Sequence, residues 1–444
     1  MDLIFNAYST ASDDVDDGEG EDKHEPEMLQ SPPPKRLRPQ YPNHIARPSP
    51  PPHRYPTTLQ TRMEAPIPGR YISKRERAVM GTDPRVCDPN PSPSVSAPLP
   101  FAGGILGSKL QGDIFPSLRN RLNAAQLVKI SEHLPIALKS HQKAISSIQW
   151  SPSHAHLLAS GGMDHTICIW NIWNRDQKKA CVLNNHNAAV KDVKWSPQGL
   201  SLLSCGYDRI SRLTDVDRGA EKQVFVEDQV VGVVKFHPEN PNLFLSGGSK
   251  GFLRLWDTRC EKVVHEYARG LGPILDIEFM ADAKQFISSS DVSGSNVSEN
   301  SIVVWDVARQ VPLSNQVYVE AYTCPCIRCH PFDPYFIAQS NGNYIAIFSS
   351  RAPFKLDQYR RFERHGVCGF PIKCNFSSDG GKLVSGSSDG FIYVYNFRSG
   401  ELMRRMKVCR EACTDAVFHP VLDNVIGACS WGGDIKVVDW GGTS

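Results

Sequence analysis

The stretch CPCIRCH, residues 324–330, gathers side chains that could do chemistry. Cys324, Cys326 and Cys329 fall within six positions, and His330 follows directly. Taken alone, Cys326 to His330 reads as C-x-x-C-H, the spacing that attaches a c-type haem. The same residue types also ligate zinc. A second set is His141, Ser160 and Asp164, the residue types of a hydrolase triad. His186, Ser204 and Asp208 repeat that set one unit further along the chain. What these residues do depends on the elements that hold them.

The whole chain narrows the choice. Its 444 residues are 40 % apolar and 22 % charged, with a formal net charge of +2. Bulk charge therefore drives it to neither nucleic acid nor an acidic membrane. No apolar run is long enough for a spanning helix, so no membrane partner is expected. The start, MDLIFNAYSTASDDVDDGEGED, lacks the basic and apolar regions of a secretory leader. A non-secreted chain follows as the expectation, and its thirteen cysteines read as reduced thiols. Neither a P-loop nor a dinucleotide fingerprint is present, so no cofactor and no small-molecule substrate are expected.

Nineteen of the 33 prolines lie in the first 100 residues. The region opens with an acidic run from Asp13 to Glu27, and apolar residues recur there with no period. Residues 1–115 thus read as a disordered acidic and proline-rich arm. Lys35-Arg36-Leu37-Arg38 has the composition of a nuclear import signal or a basic linker. Gly69 to Met80 suits a short motif that folds onto a partner, or a solvated linker. Leu118, Leu122, Leu127 and Ile130 fit a short amphipathic helix over 116–133.

From about residue 134 the sequence repeats itself. One anchor recurs at Trp150, Trp195, Phe236, Phe279, Cys329, Phe376 and Phe418, in steps of 45, 41, 43, 50, 47 and 42 residues. The long step contains the insert DVSGSNVSEN. About 20 residues after each anchor comes a second, in ICIWN, SRLTD, LRLWD, IVVWD, IAIFS, IYVYN and IKVVD. Seven units of short alternating strands between Gly, Ser and Asp turns form an array.

This pattern resembles the WD40 repeat, whose units each give one four-stranded blade of a β-propeller. The fold class expected is all-β, a seven-bladed propeller over 134–444. The last unit ends at Asp439-Trp440 and has no outer strand of its own. The segment Pro135 to Lys139 is extended and apolar, and is expected to supply it, which leaves no free edge.

The resemblance also assigns the polar sets. In WD40 units an Asp, a His, a Ser and a Trp link the strands of one blade. His141, Ser160, Asp164 and Trp170 match in unit one. His186, Ser204 and Asp208 match in unit two, with Thr214 at the Trp position. Ser385 and Asp389 match in unit six, with Tyr395 there. Lys250, Glu299 and Gly342 replace the Asp elsewhere, so those blades are expected to rely more on apolar packing. A triad recurring in register, without a G-x-S-x-G elbow, reads as scaffold, and no catalytic residue is expected. CPCIRCH falls in place likewise. Cys329 occupies an anchor position, His330-Pro331 matches His237-Pro238 and His419-Pro420, and Cys326 and Cys329 should face opposite ways on one strand. No haem or metal site is expected.

More specific stretches, VFHPVLDNVIGACSWGGDIKVVDW, CHPFDPYFIAQSNGNYIAIFS and GYDRISRLTD, resemble the WD repeat-containing protein 25 group. That group is similar to pre-mRNA-processing factor 17, a WD40 protein of the spliceosome. The resemblance implies a nuclear, non-enzymatic scaffold of pre-mRNA splicing, with a cytoplasmic presence left open and spliceosomal proteins as partners. Ser-Pro sites at Ser31, Ser49 and Ser92 would allow regulation by charge. The alternative is a substrate receptor of a cullin-type ubiquitin ligase. Trp256-Asp257-Thr258-Arg259 matches the W-D-x-R of such receptors, and Arg398 matches in the Arg alone. Arg259 and Arg398 are therefore candidate partner contacts. The basic, aromatic stretch from Arg351 to Gly366 adds Arg360 and Arg361, as weak RNA contacts or as a solvated connection.

Overall fold

The computed structural model describes Ile105 and residues 134–267, 270–291, 301–316 and 322–441. The expected arm over 1–115 (apart from Ile105), the helix over 116–133, the import signal, the Ser-Pro sites and Glu299 lie outside these residues.

Among the described residues, twenty-eight strands, β1 to β28, form seven antiparallel four-stranded sheets. The innermost strand of each sheet is the one that carries the first sequence anchor. These are β2 (Ile145–Trp150), β6 (Val190–Trp195), β10 (Val231–Phe236), β14 (Ile274–Phe279), β18 (Cys326–Cys329), β22 (Cys374–Phe376) and β26 (Cys413–Phe418). Each packs against the innermost strand of the next sheet, and β26 returns to β2, so the ring is closed. The architecture is the seven-bladed propeller that the repeat pattern implied.

Period-two alternation builds the blades, because successive side chains point to opposite faces of a strand. Both faces of an inner strand meet a neighbouring blade, so both are apolar. The buried apolar residues accordingly fall into seven clusters, one at each blade interface. Trp305, Phe225, Phe244, Phe286, Phe336, Phe348 and Tyr395 are almost wholly excluded from solvent. Each such side chain contributes about 2–3 kcal/mol. Gly161 shows how close the blades come: a Cβ there would lie 2.5 Å from Cγ2 of Val193 in the next blade.

Closure follows the sequence expectation. β1 (Ile136–Lys139) is the outer strand of the seventh blade, followed inward by β28 (Asp434–Asp439), β27 (Val425–Ser430) and β26. Its antiparallel register with β28 runs from Ile136↔Val437 to Lys139↔Asp434. Ile136 and Leu138 enter the cluster between blades seven and one, while Ala137 and Lys139 face out. Ile105 is buried at the next interface, with Leu183 and Trp195.

Candidate functional site

The triad-like sets have the distances of a catalytic triad and none of its access. His141 Nδ1 donates to Asp164 at 3.0 Å. The Ser160 hydroxyl sits 2.8 Å from His141 Nε2 and accepts from Trp170 Nε1 at 2.9 Å. Ser160 is fully buried, so no substrate can reach it. Burial alone would raise the Asp164 carboxyl. The Gln142 amide and His141 overcome it and hold the group below its ordinary value. His186, Asp208 and Ser204 repeat the arrangement at 2.9 and 2.8 Å. Thr214 is buried at the Trp position of that blade, and Arg212 approaches Asp208 at 3.7 Å instead.

Blade six is wired differently. Asp389 accepts from Tyr393 Oη at 2.9 Å and from Arg405 at 3.0 Å. The histidine of that blade is His365, which the sequence reading did not single out. Its Nδ1 meets Tyr395 Oη at 3.1 Å, and its Nε2 accepts from the Gln339 amide at 2.7 Å. Ser385 reaches Oε1 of the same Gln339 at 3.3 Å. The unit therefore joins blade six to blade five, and Ser385 and Asp389 do not share one histidine. The spacing could have shown it: His365 stands 24 residues before Asp389, against 23 for His141 and Asp164.

The remaining blades keep some polar links beside their apolar packing. Trp256 still donates to Ser246 at 3.0 Å, and Trp305 to Ser288 at 2.8 Å. In blade three Gln229 takes the histidine's place, accepting from the Lys250 amide and donating to the Phe252 carbonyl.

CPCIRCH is divided among interfaces. Cys324 and Cys329 belong with the cluster between blades four and five, Cys326 with that between blades five and six. Burial pushes the Cys329 thiol far above its ordinary range. His330 is a clamp between turns. Its Nδ1 accepts from the amides of Phe332 and Asp333 at 3.2 and 2.7 Å, and Nε2 donates to the Gly380 carbonyl of blade six at 3.0 Å. His419 does the same with Val421, Leu422 and Ala155 of blade one. Among the described residues no group of three or more His, Cys, Asp or Glu could hold a metal ion.

A polar girdle, unseen in the sequence, links all seven inner strands. Gln149 Oε1 accepts from Trp195 N at 2.7 Å. Asp192 accepts from Val234 N at 3.4 Å. Lys235 pairs with Glu278 at 2.6 Å. Asp276 accepts from Ile327 N at 2.8 Å and from Arg328 at 2.6 Å. Arg328 donates on to Asn375 at 2.9 Å, Asn375 to Asp415 at 3.0 Å, and Asp415 accepts from Ile148 N at 3.3 Å. Register slips just before Asp192, Asp276 and Asp415 re-aim those carboxylates. Burial alone would raise Asp192, but Lys194 and Lys373 hold it far below its ordinary range. A cavity of about 320 Å³ opens beside the girdle, lined by Gln149, Lys194, Lys235, Glu278, Arg328 and Asp415 among others. Its charges are already paired with each other or with their neighbours.

Polar groups of the interior thus hold blades together. This is how a WD40 propeller is organised. The chain belongs to the WD40-repeat family. The family model for the WD domain, G-beta repeat, matches residues 133–171, 177–215 and 357–396. Those three matches contain His141 with Asp164, His186 with Asp208, and His365 with Asp389, the units whose polar signature has drifted least. Each begins at or near the outer strand of the preceding blade, the offset that closure through β1 requires. Within the WD40 family the chain is 35 % identical to mouse WD repeat-containing protein 25, over 83 % of this chain and 69 % of that protein. It is 30 % identical to human pre-mRNA-processing factor 17, over 67 % of this chain, and 27 % identical to the yeast (Saccharomyces cerevisiae) protein of that name, also over 67 %. The matched region spans about half, 51 %, of the human factor and 65 % of the yeast one.

On the surface, Arg259 turns back onto Asp257, 2.6 Å away, and remains 68 % exposed. Arg398 is exposed on the corresponding turn of blade six. Arg360 pairs with Asp357 at 2.9 Å and covers the Tyr335 ring, whereas Arg361 is exposed over Tyr344.

Proposed function

We propose that this chain is a non-enzymatic interaction scaffold of nuclear pre-mRNA processing, docking with proteins of the spliceosome. The similarity to pre-mRNA-processing factor 17 across 67 % of the chain carries this reading. The structure supports the scaffold part of it. Residues that resemble catalytic sets are buried and committed to the blades, which leaves the rim and the two faces of the propeller for partners.

The test is affinity purification of the tagged full chain from nuclei, with and without RNase, followed by mass spectrometry. Recovery of spliceosomal proteins that survives RNase is the expected result. Recovery of a cullin and its adaptor without spliceosomal proteins overturns the reading, and Arg259→Ala then locates the contact.

A further inference from the structure

The outer strands of blades five and six differ from those of blades two and three. β9 (Ala220–Val226) and β13 (Lys262–Tyr267) each carry one Lys and one Glu. β25 (Leu402–Lys407) carries Arg404, Arg405 and Lys407 and no acid. β21 (Leu356–Phe362) carries Arg360 and Arg361 against Asp357. Alternation along these strands turns Arg361, Met403, Arg405 and Lys407 outward.

The outward cations are stacked on aromatic rings. Arg361 lies 5.2 Å from the Tyr344 ring centre, Arg405 lies 3.9 Å from that of Phe391, and Lys407 lies 5.0 Å from the same ring. Stacking orders the cations and leaves their edges open to an anion. Glu363 pairs with Arg361, Asp389 pairs with Arg405, and Lys407 donates to the Asp389 backbone carbonyl. The four side chains of the two ion pairs are at least 36 % exposed, so such pairs hold weakly and exchange for phosphate. Beside Arg361 stands Tyr359, 96 % exposed on the strand edge. Next to Lys407 a groove of about 480 Å³ runs between blades six and seven. Pro135, Ala137, Met406 and Val408 give it an apolar lining, Lys436 adds a second cation, and Asp439 is its one acid.

Cations in a row, an exposed ring and an apolar groove are the parts that hold an unpaired nucleic-acid strand: phosphates meet the charges, and bases stack. An acidic polypeptide would use the cations and leave the ring and groove unused. We infer that the edge of blades five to seven is a track for single-stranded RNA. Arg361, Arg405, Lys407 and Lys436 meet phosphates, while Tyr359 and the groove take unstacked bases. The choice of RNA rests on the pre-mRNA reading above.

The experiment is fluorescence anisotropy of the purified full chain with a labelled 20-nucleotide oligouridine at 50 and 200 mM salt. The variant R361E/R405E/K407E should bind at least tenfold more weakly at 50 mM, and the slope of log K against log salt should be shallower by about 2–3. K222E, on the outer strand of blade two, should bind like the parent. The milder R361Q/R405Q/K407Q should follow the same direction, which guards against a folding defect in the charge reversal. Ultraviolet crosslinks should fall on the peptide containing Tyr359. Equal binding by parent and both triple variants, or crosslinks confined to residues 1–133, overturns the proposal. So does displacement from the parent by an acidic peptide with no Tyr359 crosslink, which assigns the edge to a protein. Spliceosomal proteins recovered without RNase sensitivity beside a failed RNA result would leave the scaffold reading standing.

Discussion

His330 Nε2 donates to the carbonyl of Gly380 across the boundary between blades five and six, at 3.0 Å. The histidine that seemed to complete a haem motif is a clamp between two turns. Gly380 has φ +70°, and a Cβ there would lie 2.5 Å from the His330 ring. His330→Ala leaves the Gly380 carbonyl and two turn amides unsatisfied. It should cost about 1–3 kcal/mol in urea unfolding. Gly380→Ala should also destabilise, through both backbone strain and the clash. Phe332→Ala, at a site 73 % exposed, should change little. Equal midpoints for all three would remove the clamp from the account.

The girdle predicts a different penalty. Arg328 is largely enclosed beside Asp276, and Asp276→Ala leaves its charge only the more distant Glu278, at 3.8 Å. Breaking one side of such a pair costs about 3–5 kcal/mol. Replacing both, as Asp276→Ala with Arg328→Met, should recover part of that loss, because the enclosed cation goes with its partner. A double-mutant cycle by thermal or urea denaturation reads the coupling. Additive effects would mean the two residues act independently.

Acid should weaken the fold in two windows. Burial holds His419 down to about 3 and His365 to about 4, below the ordinary 6.5. The unfolded chain therefore binds more protons than the native one below pH 6.5. Stability is complete above that value and falls with acidification towards pH 4, by up to about 1.4 kcal/mol per unit for each histidine. Asp164 and Asp208 also lie below their ordinary value of 3.8, so their contribution is lost only under about pH 4. Urea midpoints from pH 7.5 to 5 should fall steadily, and His419→Asn should flatten the slope. A flat parent profile over that range would contradict the burial of neutral imidazoles.

Ser160 and Ser204 should resist fluorophosphonate probes in the native protein, since both are buried beneath their blades. Ser160→Ala should cost about 1–3 kcal/mol by orphaning Trp170 Nε1 and His141. Labelling of either serine before unfolding would reopen the hydrolase reading.

The sequence made some of this legible and hid the rest. Seven units, both anchors and the closing strand could be read because each is a local pattern repeated in register. The sets at His141 and His186 were legible for the same reason. Blade six was legible only in part, because Gln339, which stands in another unit, joins Ser385 to His365. The girdle was invisible on different grounds. Its seven links use Gln, Asp, Lys, Glu, Arg and Asn in no repeating order, and Asp415 meets Ile148 over a separation of 267 residues. No periodicity marks a contact whose chemistry changes at every interface.

Pairing of Ile136 with Val437 also fixes an order of events during synthesis. The outer strand of the last blade leaves the ribosome first, and its partner follows some 300 residues later, after about 15–60 s at typical elongation rates. Throughout that interval the segment from Ile136 to Lys139 lacks the partner it has in the fold. A chain cut short before Val437 keeps it so permanently, and presents a ready edge to chaperones or to another unfinished copy.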